Sequence, residues 1–253
     1  MITDISYKTG DHLTDYEQRR CRLDVYLPTA PATGDVVIWF YGGGLEEGSK
    51  DGEPNVAVAR GLASEGLLVV MPDYRLYPLA KHPAHIEDAA AAVAWAYRHA
   101  AELGANPERL FIAGHSAGAY LALMAGLAPD FLERTGVPRR AVAGLIPVSG
   151  QTLTHHATRA DRGLPVYALI ADEAAPIRWA SPDSPPILAI YGDDDMPMRA
   201  EENELLIAQL RAAGHAQAHS LCVPGRDHGA VGDRIAEPGD PARLALLEFM
   251  RSV

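Results

Sequence analysis

The stretch Phe111-Ile112-Ala113-Gly114-His115-Ser116-Ala117-Gly118 runs from an apolar segment into a Gly-x-Ser-x-Gly turn, and Ala119-Tyr120-Leu121-Ala122-Leu123-Met124-Ala125 carries it on as a small-residue helix. Strand, turn and helix in that order place one serine at an apex. A serine hydroxyl is a weak nucleophile until its backbone holds it out into a site and a base stands beside it. Gly114 and Gly118 lack the β-carbons that would collide in so tight a turn. Ser116 is therefore expected at a helix N-terminus, where backbone amides and the helix dipole face developing negative charge.

Outward from this elbow the chain alternates between strand and helix patterns. The apolar run Val36–Phe40 ends in Gly42-Gly43-Gly44 and reads as a buried strand feeding a loop. Residues 20–27 alternate polar and apolar, as an outer antiparallel strand would. Further strands are expected at 67–71, 142–148, 187–191 and 216–223, with helices at 54–65, 85–103, 199–212 and 241–251. Such alternation predicts an α/β protein with a mostly parallel sheet covered by helices on both faces. Residues 151–185 break the rhythm with Pro165, Pro176, Pro182 and Pro185 among polar residues, and read as a short cap-like excursion above the sheet. With no repeat, low-complexity tract or linker, residues 1–253 are expected to form a single domain.

Composition narrows the function classes. The 253 residues are 48% hydrophobic and 22% charged, which supplies a sizeable core. A net charge of −11 repels phosphate backbones and anionic membrane surfaces, so nucleic-acid and membrane partners are not expected. Cys21 and Cys222 form no disulfide framework and read as free thiols. No apolar run approaches bilayer-spanning length, and the N-terminus lacks a basic segment followed by an apolar one, so a cytoplasmic location is expected unless an export signal has been removed. There is no His-Glu-x-x-His or clustered Cys/His spacing, so neither a metal nor an organic cofactor is expected.

Enzymatic use of Ser116 requires a base, an orienter for it and donors for an oxyanion, each at a strand end on the carboxyl edge of the sheet. His228, in Pro224-Gly225-Arg226-Asp227-His228-Gly229, follows a strand and is the expected base. His155 and His156, in the excursion, are its rivals. Gly192-Asp193-Asp194-Asp195 closes the 187–191 strand and offers the orienting carboxylate, Asp195 ahead of Asp194 and Asp193 last. Tyr41-Gly42-Gly43-Gly44 offers amides that converge with that of Ala117 on a tetrahedral oxygen. It lacks the Gly-Lys-Ser/Thr ending of a P-loop and the Gly-x-Gly-x-x-Gly spacing of a dinucleotide site.

In this order of glycine loop, serine, acid and histidine, the chain resembles the α/β-hydrolase superfamily over roughly residues 20–250. More narrowly it resembles the carboxylesterase branch that includes hormone-sensitive-lipase-like esterases, carbohydrate acetyl and feruloyl esterases, and kynurenine formamidase. Leu23-Asp24-Val25-Tyr26-Leu27-Pro28, the Tyr41–Gly44 loop, Asp73-Tyr74-Arg75-Leu76, Pro83 to Asp88, Gly114–Gly118 and Gly192–Asp195 carry the likeness. It implies an α/β-hydrolase fold, oxyanion donors at Gly43, Gly44 and Ala117, and scaffold roles for Asp73, Arg75 and Asp88. Many relatives carry His where this chain has Tyr41, which blurs the subfamily.

The expected reaction is hydrolysis of short-acyl carboxylic esters through an acyl-enzyme on Ser116, with Asp195 and His228 completing the triad. An amide or formamide hydrolase with the same triad is the alternative within enzymes, and a catalytically silent binding module the alternative outside them. Leu45 and Trp179 are candidate pocket walls, each equally readable as core, and Tyr41 and His115 are further pocket candidates. A small-molecule ester is the expected partner, with a homodimer left open.

Overall fold

Strands buried on both faces read as unbroken apolar runs, and Val36–Phe40 and Leu68–Pro72 are buried at every position. In the computed structural model, which describes residues 1–253, eight strands form one sheet. They are β1 (Ile2–Ser6), β2 (Arg22–Tyr26), β3 (Val36–Phe40), β4 (Leu68–Pro72), β5 (Leu110–His115), β6 (Val142–Val148), β7 (Ile187–Asp194) and β8 (Ala218–Asp227), in spatial order β1-β2-β4-β3-β5-β6-β7-β8. The pairs β1/β2 and β2/β4 are antiparallel; all others are parallel.

The helices are α1 (Asp15–Arg20), α2 (Glu53–Ala63), α3 (Ala84–His99), α4 (Ala117–Leu127), α5 (Pro129–Glu133), α6 (His156–Asp161), α7 (Arg199–Ala212), α8 (Ala230–Asp233) and α9 (Pro241–Ser252). Side chains alternate across the pleat, so the sheet carries two cores. Val36, Ile38 and Phe40 of β3 join Leu110 and Ile112 of β5 against α3, α4 and α7. Val37, Trp39, Phe111 and Ala113 face the other way, against α2, α8 and α9. No helix is long and apolar enough to cross a membrane.

Three departures from the sequence reading have local causes. The 20–27 strand is not outermost, because β1 pairs on its free side. Ile2–Ser6 has no fully buried residue and hence no hydrophobic alternation to announce it; a carboxylate oxygen of Asp24 in β2 accepts from the Asp4 amide at 2.7 Å. The 85–103 helix ends at His99, and beyond it the chain tightens into turns in which the Leu103 and Gly104 amides bond three residues back. Both β7 and β8 run past their expected ends. Pro224 and Gly225 are tolerated in β8 because it is the sheet edge, and the Asp193 carboxylate accepts from the Gly225 and Arg226 amides at 2.7 and 3.3 Å. That extension carries Asp195 and His228 to the same place above the sheet. Between β6 and β7 the chain leaves the sheet over residues 149–186, with α6 and a short 3₁₀ turn, Pro176–Trp179, as its regular structure.

Candidate active site

Ser116 sits between β5 and α4 with φ 55° and ψ −118°, a region that a residue with a β-carbon occupies only under constraint. Its amide donates to Val148 O of β6 at 2.8 Å, and its carbonyl accepts from the Tyr120 amide at 3.1 Å, which pins the turn at both ends. The flanking glycines answer to the end of β3. A Cβ on Gly114 would lie 2.5 Å from Phe40 O, and one on Gly118 only 2.0 Å from the same oxygen. Helix α4 can approach the sheet this closely only with hydrogen at both positions.

The hydroxyl so presented meets His228, whose Nε2 is 2.8 Å from Ser116 Oγ. His228 Nδ1 is 2.7 Å from Asp195 Oδ1. Because Nδ1 faces a carboxylate, it carries the ring proton; Nε2 is then free to accept from the Ser116 hydroxyl. The Asp195 side chain is 2% exposed. Burial alone would raise its carboxyl, but hydrogen bonds from His228, Ser149 and the Met196 amide hold it down at about 2. Of the three consecutive aspartates, Asp193 braces β8 and Asp194 is exposed and paired in register with Asp227, so Asp195 alone reaches the imidazole.

Sequence reasoning missed Ser149, at the end of β6. It is fully buried with φ 54°; its hydroxyl donates to Asp195 Oδ2 at 2.6 Å and lies 2.8 Å from His228 Nδ1. The only signal available was its place directly after a strand. Ser149 ties the free carboxylate oxygen to the imidazole edge and so fixes both. Ser149→Ala is expected to lower kcat roughly tenfold with KM little changed, through one lost charge-assisted hydrogen bond. An unchanged kcat in steady-state kinetics would remove Ser149 from the site.

Across the serine, the amides of Gly43, Gly44 and Ala117 donate to no protein acceptor. The loop holds its shape because Gly43 has φ 113° and a Cβ there would stand 2.2 Å from Glu47 O, while Gly43 O accepts from the Glu46 and Glu47 amides. Beneath it Tyr41 stacks on Tyr74 with ring centroids 4.6 Å apart. The Tyr41 hydroxyl donates to Asp73 Oδ1 at 3.0 Å and accepts from Arg20 at 2.5 Å. Arg75 grips Asp88 through a fork of two 2.8 Å hydrogen bonds. These polar residues therefore brace the loops around the serine rather than face it.

The four expected pocket side chains do not converge on a pocket. Tyr41 and Leu45 are core, each 1% exposed, because their rings and methyls fill the space under the glycine loop. His115 Nε2 donates to the His228 carbonyl at 2.7 Å, and burial with the neighbouring His228 holds its pKa down at about 4. It is an anchor for the loop that carries the base. Trp179, within the excursion, is half-buried against the core and donates to Glu173 O at 3.0 Å. Neither rival histidine bonds to Ser116: His155 is buried and accepts from the Ala157 amide, and His156 Nδ1 lies 3.2 Å from Gln151 Oε1. His156 Nε2 does stand over the glycine loop, 3.2 Å from where a Cβ on Gly44 would be. From there a groove of about 660 Å³ opens between the excursion and the start of α7, lined among others by Arg159, Tyr167, Met196, Met198 and Arg199.

The family model BD-FAE matches residues 23–139. Esterase LipC of Mycobacterium tuberculosis is 29% identical over 231 residues, covering 82% of this chain and 56% of LipC. Carboxylesterase NlhH of the same species is 39% identical over 171 residues, covering 66% of this chain and 47% of NlhH. The chain thus spans about half the length of the curated relatives it matches. Among solved structures, a truncated carbohydrate esterase from gut microbiota superposes with a TM-score of 0.78 at 20% identity, over 99% of this chain and 94% of that one. Serine elbow, sheet order and these likenesses agree on an α/β-hydrolase fold, and the sequence is similar to carboxylesterases.

Proposed function

We propose that this chain is a serine esterase acting on carboxylic esters with short acyl groups. The observation that carries the reading is the unbroken relay from Ser116 Oγ to His228 to Asp195, built from the ends of β5, β7 and β8. In the first step the Ser116 hydroxyl attacks the ester carbonyl carbon while its proton passes to His228 Nε2. Asp195 stabilises the imidazolium without taking its proton. The tetrahedral oxyanion faces the unpartnered amides of Gly43, Gly44 and Ala117, each such donor being worth about 10²–10³ in rate. His228 then protonates the departing alcohol. Water, deprotonated by the same nitrogen, attacks the acyl-enzyme and releases the acid.

The short-acyl preference follows from the modest cover. The excursion supplies one six-residue helix and one 3₁₀ turn, too little to wrap a long alkyl chain. A panel of 4-nitrophenyl esters from acetate to decanoate is expected to give its highest kcat/KM at two to four carbons and to fall from there. Faster turnover of the long chains would overturn the acyl preference, and faster turnover of aryl formamides run alongside would overturn the ester reading.

A further inference from the structure

Two arginines in the groove beside the triad lack the partners that buried guanidinium groups normally have. Arg199, the first residue of α7, is 7% exposed, and its Nε and Nη1 are buried with no hydrogen-bond partner. Arg159, at the end of α6, is 6% exposed with Nε likewise unpartnered; its Nη1 donates to Ala168 O at 3.1 Å. Both line the groove that begins at His156 beside the glycine loop. Neither forms an ion pair, although the other buried lysine and arginine side chains are tied to carboxylates: Lys50 to Asp24 at 3.0 Å, and Arg243 to Glu65 at 2.6 Å. Glu202, the nearby acid, is committed elsewhere, accepting from the Thr152 and Leu153 amides at 2.9 and 3.3 Å.

An unpaired buried charge is costly, and folds retain one where it is needed. Burial pushes the Arg199 guanidinium below its ordinary value, with Arg159 adding like-charge repulsion against the opposing influence of Glu202 and Asp195. Nε and Nη1 lie on opposite edges of the guanidinium and no hydrogen bond engages its third nitrogen, so an edge that pairs Nη2 with either of them can take a carboxylate. The groove lies next to the triad, since its lining residues Met196–Arg199 follow Asp195 in sequence and His156, at its other side, stands against Gly44.

Resting on the esterase reading, we infer that Arg199, with Arg159 beside it, binds a carboxylate carried by the substrate, so that the preferred substrates are anionic esters. A long alkyl chain in the same groove would cover both guanidinium groups with hydrocarbon, which adds a second reason for long acyl groups to be poor substrates. The net charge of −11 repels anions from the molecule as a whole, so any preference for them must arise locally.

The test compares matched ester pairs. Mono-4-nitrophenyl adipate and methyl 4-nitrophenyl adipate differ only in a carboxylate on the acyl side; 4-acetoxyphenylacetate and its methyl ester differ only in one on the leaving-group side. In at least one pair the anionic member is expected to have a kcat/KM about tenfold higher or more. Arg199→Met is expected to bring that ratio below about twofold, and Arg199→Lys to an intermediate value, since charge remains and the fork is lost. The Arg199→Met protein is expected to melt no lower than the wild type, because it loses an unpaired buried charge. Should that variant not fold, Arg159→Met and the lysine variant carry the comparison. No preference in either wild-type pair, or a preference that survives the loss of Arg199, would overturn the inference. If no ester is turned over at all, the esterase reading fails alone. Monomethyl adipate raising the melting temperature of the wild type above the effect of dimethyl adipate would still support the anion site, and equal effects would refute it.

Discussion

Ser116→Ala is expected to lower kcat/KM on 4-nitrophenyl acetate by about 10⁴-fold or more while leaving the melting temperature within a few degrees of the wild type. The substitution removes one oxygen, 2.8 Å from His228 Nε2, and no packing. Residues of a triad act as a unit, so loss of the nucleophile removes nearly all of the catalytic advantage and leaves what the oxyanion donors and binding supply. Stability should hold, because alanine has the same β-carbon as serine and meets the same φ of 55° in a turn already pinned by the Val148 carbonyl. Progress curves with purified protein, run beside a thermal melt, decide it. Retention of more than about one per cent of the activity with Ser116 absent would mean that another group attacks the carbonyl, and the whole constellation would have to be reassigned.

Gly118→Ala is expected to abolish the folded protein, which reverses the sign that helix propensity alone would give. Gly118 lies in the first turn of α4, where replacement of glycine by alanine ordinarily adds up to ~1 kcal/mol of helix stability. Here the new carbon would meet Phe40 O at 2.0 Å, Phe40 C at 2.4 Å and Tyr41 O at 2.5 Å. All three are backbone atoms at the end of a fully buried strand, so no side chain can swing aside. Overpacking against main chain belongs to the mechanisms that cost more than about 4 kcal/mol, a large fraction of a domain's total stability. Gly136→Ala is the control: it has φ 80° with nothing within 4 Å, so it carries backbone strain without collision and should cost only about 1 kcal/mol. Soluble yield and denaturant unfolding of the two variants separate the effects. A well-folded Gly118→Ala protein would show that α4 does not pack on β3 as closely as described.

The legible and illegible parts of the site divide along one line. Ser116 and its two glycines were readable because the constraint on each comes from a turn of eight contiguous residues, and the turn's steric demand is written into them. His228 was readable from its place after a strand. Asp195 was separated from Asp194 and Asp193 only by how far β7 and β8 extend: Asp193 is consumed in bracing the Gly225 and Arg226 amides, which leaves Asp195 to turn inward. Leu45 was readable as pocket wall or as core, and Tyr41 as a pocket residue. Both are buried in the core, a direction that the packing beneath the glycine loop sets and the local sequence does not.

By itself the sequence determined the elbow, the mostly parallel sheet with helices on both faces, and the order of glycine loop, serine, acid and histidine. Apolar periodicity and glycine placement act over a few neighbouring residues, so they survive reading one residue after another. Tertiary structure alone decided that Ser149 joins Asp195 to His228, that His115 anchors the loop of the base, and that Arg159 and Arg199 share one groove without partners. Those contacts join strand ends and an excursion far apart in the chain, and the energy of a buried hydroxyl or guanidinium is set by which groups the fold brings to it, a quantity no local pattern of residues contains.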